Sequence, residues 1–407
     1  MTLVHGRLFC FCLHGGGQSQ AAVFAAGFLT LPLATPFNKA HSSSAAGLSF
    51  CALSPRLESV MCSLRHWLCL LLSSTLLLGT AHAATAPPPA AQAMIDALNR
   101  ATAAVVGVKV TAMEDARSAE TLGLRRAGSG VLISQDGLIL TIGYLMLEAE
   151  QIEVVTQDNR TLPARAVAYD LATGFGLLRP LLPLRNVAVA TLGSSRDLQP
   201  GEPLMAVTGP QPDDDGDVSM TRLVSRRAFS GSWEYHIESA LFTSPPVLAS
   251  GGNHSGAPLF NQRGELIGIG SLFVSDATNE NRRLPGNMFV PVDLLRPILA
   301  ELQRSGYSAK SRRPWLGITS NDQGGRIQIL RVSKESPAEL AGLSAGDVVL
   351  AVDDAKVATL EAFYKKLWDH AAPDAEIRLT VLQGAEVKTI VLRAQDRMLT
   401  LKKPPGI

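Results

Sequence analysis

The chain has 407 residues, of which 46% are hydrophobic and 18% charged, and its formal net charge is +1. This length predicts two or three domains with ample apolar material for their cores. The near-neutral charge balance argues against a nucleic-acid partner, because nucleic-acid-binding domains usually carry a basic stripe.

The N-terminal segment differs in texture from the rest of the chain. From Met61, two basic residues precede a short leucine-rich stretch that ends at Ala81-His82-Ala83. This order is typical of a secretory signal peptide, and the apolar stretch falls short of the roughly 20 residues that span a membrane. We therefore predict a signal peptide at 61–83, export to the periplasm and no membrane span after cleavage. Because a signal peptide should begin a protein, residues 1–60 are interpreted as an upstream extension that is not native.

The positions of the cysteines limit the chemistry available to the mature protein. All five lie before the predicted cleavage site. They are Cys10, Cys12, Cys51, Cys62 and Cys69. The mature chain would contain none, which excludes disulfides, cysteine nucleophiles and cysteine-ligated metals.

Beyond residue 83 the predicted elements fall into two units. Residues 84–103 form a leader and a short helix, with helix-forming composition at Gln92–Ala103. Residues 104–305 contain short β-branched runs separated by turn signals, including the hairpin signal Asp136-Gly137, which predicts an all-β domain. A closing helix is predicted at Val292–Leu302, and the polar segment 306–313 is a predicted linker.

Residues 314–400 predict a smaller α+β unit. Strand-like runs occur at 327–330, 348–352 and 377–381, and a helix is predicted at 360–368. Phe363 and Leu367 recur at helical spacing on that helix, which indicates one buried face.

Sequence motifs in the first unit resemble those of the HtrA/Deg family of trypsin-fold serine proteases. They are Gly128-Ser129-Gly130, Asp136-Gly137-Leu138 and Ser255-Gly256-Ala257-Pro258-Leu259. Motifs in the second unit resemble the PDZ domain of that family. They are Trp315-Leu316-Gly317-Ile318, Ser336-Pro337-Ala338 and Gly346-Asp347. The resemblance implies a mostly β chain in which two six-stranded antiparallel barrels enclose a cleft and an α+β PDZ domain follows.

The resemblance also implies where a catalytic triad should stand. Ser255 occupies the nucleophile position. The family's histidine follows a threonine and two further residues, which places Tyr144 at that position, after Thr141. The family's aspartate lies four residues after an earlier aspartate, which places Gly174 at that position, after Asp170. Since a serine hydroxyl is a weak nucleophile without an adjacent base, the sequence predicts a proteolytically impaired protein.

Other bases could replace the histidine. His254 directly precedes Ser255, but neighbouring side chains usually diverge. His236 lies in a strand-like run and is interpreted as structural, while His370 belongs to the PDZ-like unit. Lys109 stands at the start of the first barrel, and Tyr144 is itself a poor base because the reference pKa of tyrosine is about 10. An active endopeptidase with an unusual base therefore stays an alternative.

The oxyanion hole is predicted at the backbone N–H groups of Asn253 and Ser255, where the family usually has glycine at the first position. An alternative alignment makes His254 a one-residue insertion that would distort the loop, and the sequence leaves both open. If the cleft is otherwise intact, Tyr144→His with Gly174→Asp is expected to restore weak activity.

The PDZ-like unit predicts a binding function. The N–H groups of Leu316, Gly317 and Ile318 are expected to hold a peptide's C-terminal carboxylate, and the following strand is expected to pair with the peptide. Phe363 and Leu367 are predicted to line an apolar groove for the peptide's last side chain. A PDZ unit that only packs on the barrel is the alternative.

Together these features predict an exported HtrA/Deg-like pseudoprotease that binds peptides or unfolded proteins. A structural partner in mixed oligomers with active relatives is a further alternative, and the resemblance implies a homotrimer. No cofactor or metal is predicted, because the acidic run Asp213–Asp217 lacks the ligand set of a calcium loop.

Overall fold

The protein is described from a computed structural model, which covers residues 89–212, 214–247, 254–280 and 283–402. The predicted upstream extension, the signal peptide and Asn253 lie outside these residues. The described residues belong to one compact unit.

The first half of this unit is a closed β-barrel. Its strands are β1 (Val105–Ala112), β2 (Arg125–Leu132), β3 (Ile139–Ile142), β4 (Ala149–Val155), β5 (Thr161–Tyr169) and β6 (Phe175–Pro180), preceded by helix α1 (Pro89–Thr102) and interrupted by helix α2 (Ala119–Leu122). They close antiparallel in the order β1-β2-β3-β6-β5-β4. Val106, Leu140 and Phe175 are fully buried in the core. Gly137, in the predicted hairpin turn, has a φ of 85°, a conformation that favours glycine.

A second ring of strands follows. Its strands are β7 (Thr191–Leu192), β8 (Pro203–Val207), β9 (Val218–Gly231), β10 (Tyr235–Ser244), β11 (Pro258–Phe260), β12 (Glu265–Val274) and β13 (Gly286–Pro291). The antiparallel order β11-β8-β9-β10-β13-β12 is closed by a β11–β12 pairing, and β7 adds in parallel to β12. Phe242, Phe260 and Phe289 are fully buried inside it. The fold therefore confirms the mostly β architecture that the resemblance implied.

The helix predicted at Val292–Leu302 is broken in two. A 3-10 turn spans Val292–Leu294, and helix α3 runs over Leu299–Ser305. Pro297 lies between them, and proline lacks the N–H that a continuous helix would need and disfavours helical backbone before it. Within the described residues, none of the helices combines the length and the apolar composition that crossing a membrane requires.

The C-terminal part is an α+β fold. Its strands are β14 (Pro314–Trp315), β15 (Ile318–Asn321), β16 (Ile327–Val332), β17 (Val348–Val352), β18 (Ala355–Lys356), β19 (Glu376–Gln383), β20 (Glu386–Arg393) and β21 (Gln395–Asp396), and its helices are α4 (Pro337–Leu340), α5 (Leu360–Leu367) and α6 (Arg397–Thr400). The main sheet has the order β15-β16-β17-β19-β20. Thr359 caps α5 by accepting a hydrogen bond from the N–H of Ala362.

The segment between α3 and β14 is fastened to the first barrel by Asp170. This carboxylate is fully buried and accepts hydrogen bonds from the hydroxyls of Ser308 and Ser311. It also accepts from the backbone N–H of Thr173 at 2.9 Å and its hydroxyl at 2.6 Å. Asp170 therefore ties the connection before the PDZ-like unit to the loop that carries Gly174.

Candidate functional site

The segment around Ser255 lies between the two barrels and is held by backbone hydrogen bonds to both. The N–H of Ser129 on β2 donates to the Ser255 carbonyl at 2.8 Å, and the N–H of Gly256 donates to the Gly270 carbonyl on β12 at 2.8 Å. Gly256 has a φ of 77°, and a Cβ there would lie 2.1 Å from the Ser129 carbonyl oxygen. Glycine is therefore required beside Ser255 for the two barrels to approach this closely.

The Ser255 hydroxyl is bonded to a phenol. Tyr144 Oη lies 2.6 Å from Ser255 Oγ and 2.8 Å from the carbonyl oxygen of Ser271. A carbonyl oxygen only accepts, so the phenol gives its single proton to Ser271. The Ser255 hydroxyl consequently donates to Tyr144 Oη, and that oxygen belongs to a neutral phenol rather than to a base.

The electrostatics of Tyr144 keep it neutral. Burial raises the pKa of Tyr144 to about 12, and the hydrogen bond with Ser255 opposes this shift. Tyr144 stands in a 3-10 turn over Gly143–Met146, directly after β3. The guanidinium of Arg126 donates to the carbonyl oxygens of Tyr144 at 3.2 Å and Leu147 at 2.7 Å, which fixes this turn.

Gly174 lies next to the Tyr144 turn, and its surroundings are filled. The N–H of Gly143 donates to the Gly174 carbonyl at 2.7 Å. Gly174 has a φ of 83°, and a Cβ at this position would lie 3.0 Å from the hydroxyl oxygen of Tyr235. That hydroxyl donates to the Thr173 carbonyl at 2.7 Å. A side chain at position 174 would therefore meet both an unfavourable backbone conformation and an occupied space.

The alternative bases have partners elsewhere. The imidazole of His254 bonds to the backbone of Leu272, burial lowers its pKa, and its Nε2 has no hydrogen-bond partner within the described part of the chain. Lys109 pairs with Glu153 at 3.3 Å. In the PDZ-like unit, His370 lies 2.7 Å from an oxygen of Asp353.

The predicted oxyanion hole stays a prediction, because Asn253 lies outside the described residues. Ser255 itself is described, and its backbone position is set by Ser129 and Gly256 as above.

The predicted carboxylate-binding loop converges on one carboxylate from the barrel. The Glu234 carboxylate accepts hydrogen bonds from the N–H groups of Leu316 at 3.0 Å, Gly317 at 2.8 Å and Ile318 at 2.9 Å. Gly317 has a φ of 85°, and a Cβ there would lie 2.2 Å from the Cβ of Ser336. The sequence Leu316-Gly317-Ile318 thus forms a loop whose amides point at a single anion.

The two residues predicted to line an apolar groove lie in the core in this structure. Phe363 and Leu367 are fully buried among the apolar side chains of the PDZ-like unit. Their contact with a peptide therefore stays a prediction. Tyr364 on α5 contacts the barrel, because its hydroxyl donates to the Gly231 carbonyl at 2.7 Å.

One group of neighbouring side chains consists of residue types that commonly bind metal ions. Ligand atoms of His236, Glu238 and Glu361 lie within 4.8 Å of one another. The Lys365 ammonium already neutralises both carboxylates, at 3.0 Å from Glu238 and 2.7 Å from Glu361. His236 Nδ1 lies 2.9 Å from the hydroxyl of Ser230. The group joins β10 to α5 as an ion-pair cluster.

Sequence reasoning missed Glu234 and Tyr235. Both follow the Ser232-Trp233 turn between β9 and β10, and one contacts the carboxylate-binding loop while the other fills the space beside Gly174. A charged residue in a hairpin turn ordinarily faces solvent, so the sequence carried no signal that Glu234 is only 3% exposed.

The comparisons with known proteins agree with this architecture. Residues 128–269 match the trypsin-like peptidase domain family, and residues 314–393 match the PDZ domain family. The two barrels, followed by this second domain, define a trypsin-like peptidase fold that carries a PDZ domain. With relatives of the same type, the chain is similar to the HtrA/Deg proteases.

Two of the relatives are named as serine endoproteases. A probable periplasmic serine endoprotease, DegP-like, from Halomonas elongata is 29% identical over 289 residues, which cover 67% of this chain and 57% of that protein. Serine endoprotease DegS of Haemophilus influenzae is 27% identical over 280 residues, which cover 67% of this chain and 77% of that protein. The chain thus spans just over half the length of the Halomonas relative.

Two solved structures are similar at lower identity. The serine endoprotease from Yersinia pestis is 24% identical with a TM-score of 0.47, covering 76% of this chain and 98% of that one. The HtrA-type protease AlgW with a tripeptide is 22% identical with a TM-score of 0.46, covering 77% and 98%.

Proposed function

We propose that this chain is a peptide-binding pseudoprotease of the HtrA/Deg family, exported and lacking efficient proteolysis. The observation that carries the proposal is the 2.6 Å contact between Tyr144 Oη and Ser255 Oγ. In a working triad a base takes the serine proton as the hydroxyl attacks. Here a neutral phenol stands in the place from which that base would act.

The missing third residue supports the same conclusion. In a triad the aspartate orients the histidine and stabilises its charged form. Gly174 offers no side chain, and the Tyr235 hydroxyl occupies the neighbouring space. The histidine and aspartate positions of the triad are both replaced. Hydrolysis would therefore rest on substrate binding and on the backbone N–H donors alone, and only weak catalysis would remain.

Binding is the function we place in the PDZ domain. Three adjacent N–H groups already hold a carboxylate, at 2.8–3.0 Å. A free peptide C-terminus presents the same group, and a charge-assisted hydrogen bond is roughly twice as strong as a neutral one. The proposed ligands are therefore peptides or unfolded proteins with an exposed, apolar C-terminal end.

A binding experiment with matched peptides tests this function. The chain from Ala84 to Ile407 is titrated with a short fluorescein-labelled peptide ending in phenylalanine, as the free acid and as the C-terminal amide. We expect weak binding of the acid and at least about tenfold weaker binding of the amide, because the amide loses the charge-assisted bonds. Equal affinity for the two forms, in any variant of the chain, would contradict the proposal.

Export and assembly belong to the same proposal. The relatives that are named as periplasmic endoproteases support export, with removal of the predicted signal peptide at 61–83. Similarity to the HtrA/Deg proteases supports assembly of the barrels, as a homotrimer or with active relatives. The mass of the purified mature chain in solution distinguishes a monomer from a trimer.

A further inference from the structure

The carboxylate-binding loop of the PDZ domain is occupied by a residue of the same chain. We infer that Glu234 is an internal ligand that holds the peptide site closed, and that a peptide with a free C-terminal carboxylate competes with it. This inference rests on the proposed binding function and adds the way in which the site is regulated.

The hairpin imitates a bound peptide in two respects. Its Glu234 carboxylate takes all three N–H groups of the loop formed by Leu316, Gly317 and Ile318. Its main chain also contacts the following strand, because the N–H of Ser320 on β15 donates to the Ser232 carbonyl at 2.9 Å. Recognition of a C-terminal peptide uses these same two contacts, a captured carboxylate and backbone pairing with one strand.

The turn is built for this position. Glu234 has a φ of 59° and is 3% exposed, although a charged residue is rarely buried without a dedicated partner. Its own N–H donates to the Tyr364 hydroxyl at 3.1 Å, and that hydroxyl donates to the Gly231 carbonyl. The Arg313 guanidinium donates to the Glu234 carbonyl oxygen at 3.3 Å and stacks 3.4 Å from the ring centre of Trp368.

The energetics of a buried carboxylate make such a contact reversible. Burial raises the pKa of Glu234, whereas the three backbone N–H groups and the charge of Arg397 favour its ionised form. Desolvation of the charge offsets much of what the hydrogen bonds contribute, which is the general behaviour of buried ionic contacts. A ligand that brings its own carboxylate can therefore replace Glu234 without leaving the loop amides unpaired.

Removing the internal carboxylate should open the site. When a binding-competent state is only partly populated, the apparent dissociation constant rises by the inverse of that population. For Glu234→Ala in the Ala84–Ile407 chain, we expect the free-acid peptide ending in phenylalanine to bind at least about tenfold more tightly than it binds wild type. Glu150→Ala, which removes an exposed glutamate on β4 of the first barrel, should leave the affinity unchanged.

A second measurement reports on the contact itself. Hydrogen–deuterium exchange at the amides of 316–318 should accelerate at least about tenfold in Glu234→Ala, because open amides lose their protection. Tyr364→Phe removes a hydroxyl that holds the turn and leaves the carboxylate in place, so it should accelerate the same amides to a lesser degree. It also serves as the test if Glu234→Ala does not fold.

The outcomes separate the two proposals. Equal affinity of wild type and Glu234→Ala for the acid peptide would overturn the internal-ligand inference and leave the binding function standing. Unchanged exchange at 316–318 in both variants would overturn it as well, irrespective of the peptide result. Faster exchange with no peptide binding by any variant would contradict both the proposed binding function and the competition between a peptide and Glu234. Only the contact between Glu234 and the loop would then stand.

Discussion

Replacing Asp170 with alanine is expected to lower the free energy of unfolding by about 1–3 kcal/mol, the cost of leaving buried donors without their acceptor. The carboxylate is fully buried and accepts from Ser308, Ser311 and both donors of Thr173. Alanine would leave these donors unpaired in the interior. Urea denaturation of the Ala84–Ile407 chain measures the change.

Two further variants sharpen this test. Asp197→Ala removes an exposed carboxylate of the second barrel and should change the free energy of unfolding by no more than about 0.5 kcal/mol. Asp170→Asn keeps the size of the side chain and part of its acceptor capacity, so its effect should lie between the two. A loss below about 1 kcal/mol for Asp170→Ala would show that the network adds little to stability.

Combining Tyr144→His with Gly174→Asp is expected to leave the protein inactive and less stable, by about 1–3 kcal/mol. The sequence alone favoured weak restored activity, and the structure supplies the reason for the opposite result. Position 174 has a φ of 83°, and the Tyr235 hydroxyl lies 3.0 Å from the place of the new Cβ. The carboxylate would have to displace a tyrosine that is bonded to the Thr173 carbonyl.

A pair of alanine substitutions separates the two causes. Gly137 has a φ of 85° and no atom nearer than 3.9 Å to the position that a Cβ would take, so Gly137→Ala measures the backbone cost alone. Gly174→Ala should destabilise by more than Gly137→Ala, because it adds the contact with Tyr235. Ser255-dependent cleavage of casein by the Tyr144→His, Gly174→Asp protein would contradict this account of the cleft.

Much of the fold could be predicted from residue patterns. Asp136-Gly137 marks a tight turn because glycine accepts a positive φ, and short β-branched runs favour strands that pair into barrels. The motifs then fixed the order of the domains. The prediction of one continuous helix over Val292–Leu302 was wrong, because Pro297 lies between the 3-10 turn and helix α3.

The sites were harder to predict, because they depend on contacts between distant residues. The motif spacing pointed to Tyr144 and Gly174, yet only the folded chain shows that Tyr144 reaches both Ser255 and the Ser271 carbonyl. The sequence motif predicts that the backbone amides of 316–318 bind a carboxylate. Their partner Glu234 does not, since it precedes Leu316 by 82 residues in the chain and meets it only through the packing of two domains.

The central claim is that the phenol of Tyr144, rather than a general base, stands at the Ser255 hydroxyl. A comparison of casein digestion by wild type and by Ser255→Ala tests this claim most directly. Assays are made at pH 7 and pH 9, because Tyr144 could act as a base only as the phenolate, and the phenolate fraction rises with pH. With the pKa of Tyr144 raised to about 12, roughly one molecule in a thousand would carry that phenolate at pH 9. We predict that the two proteins give the same background rate at both pH values. Cleavage by wild type above the rate of Ser255→Ala would contradict the account and identify an active endopeptidase with an unusual base.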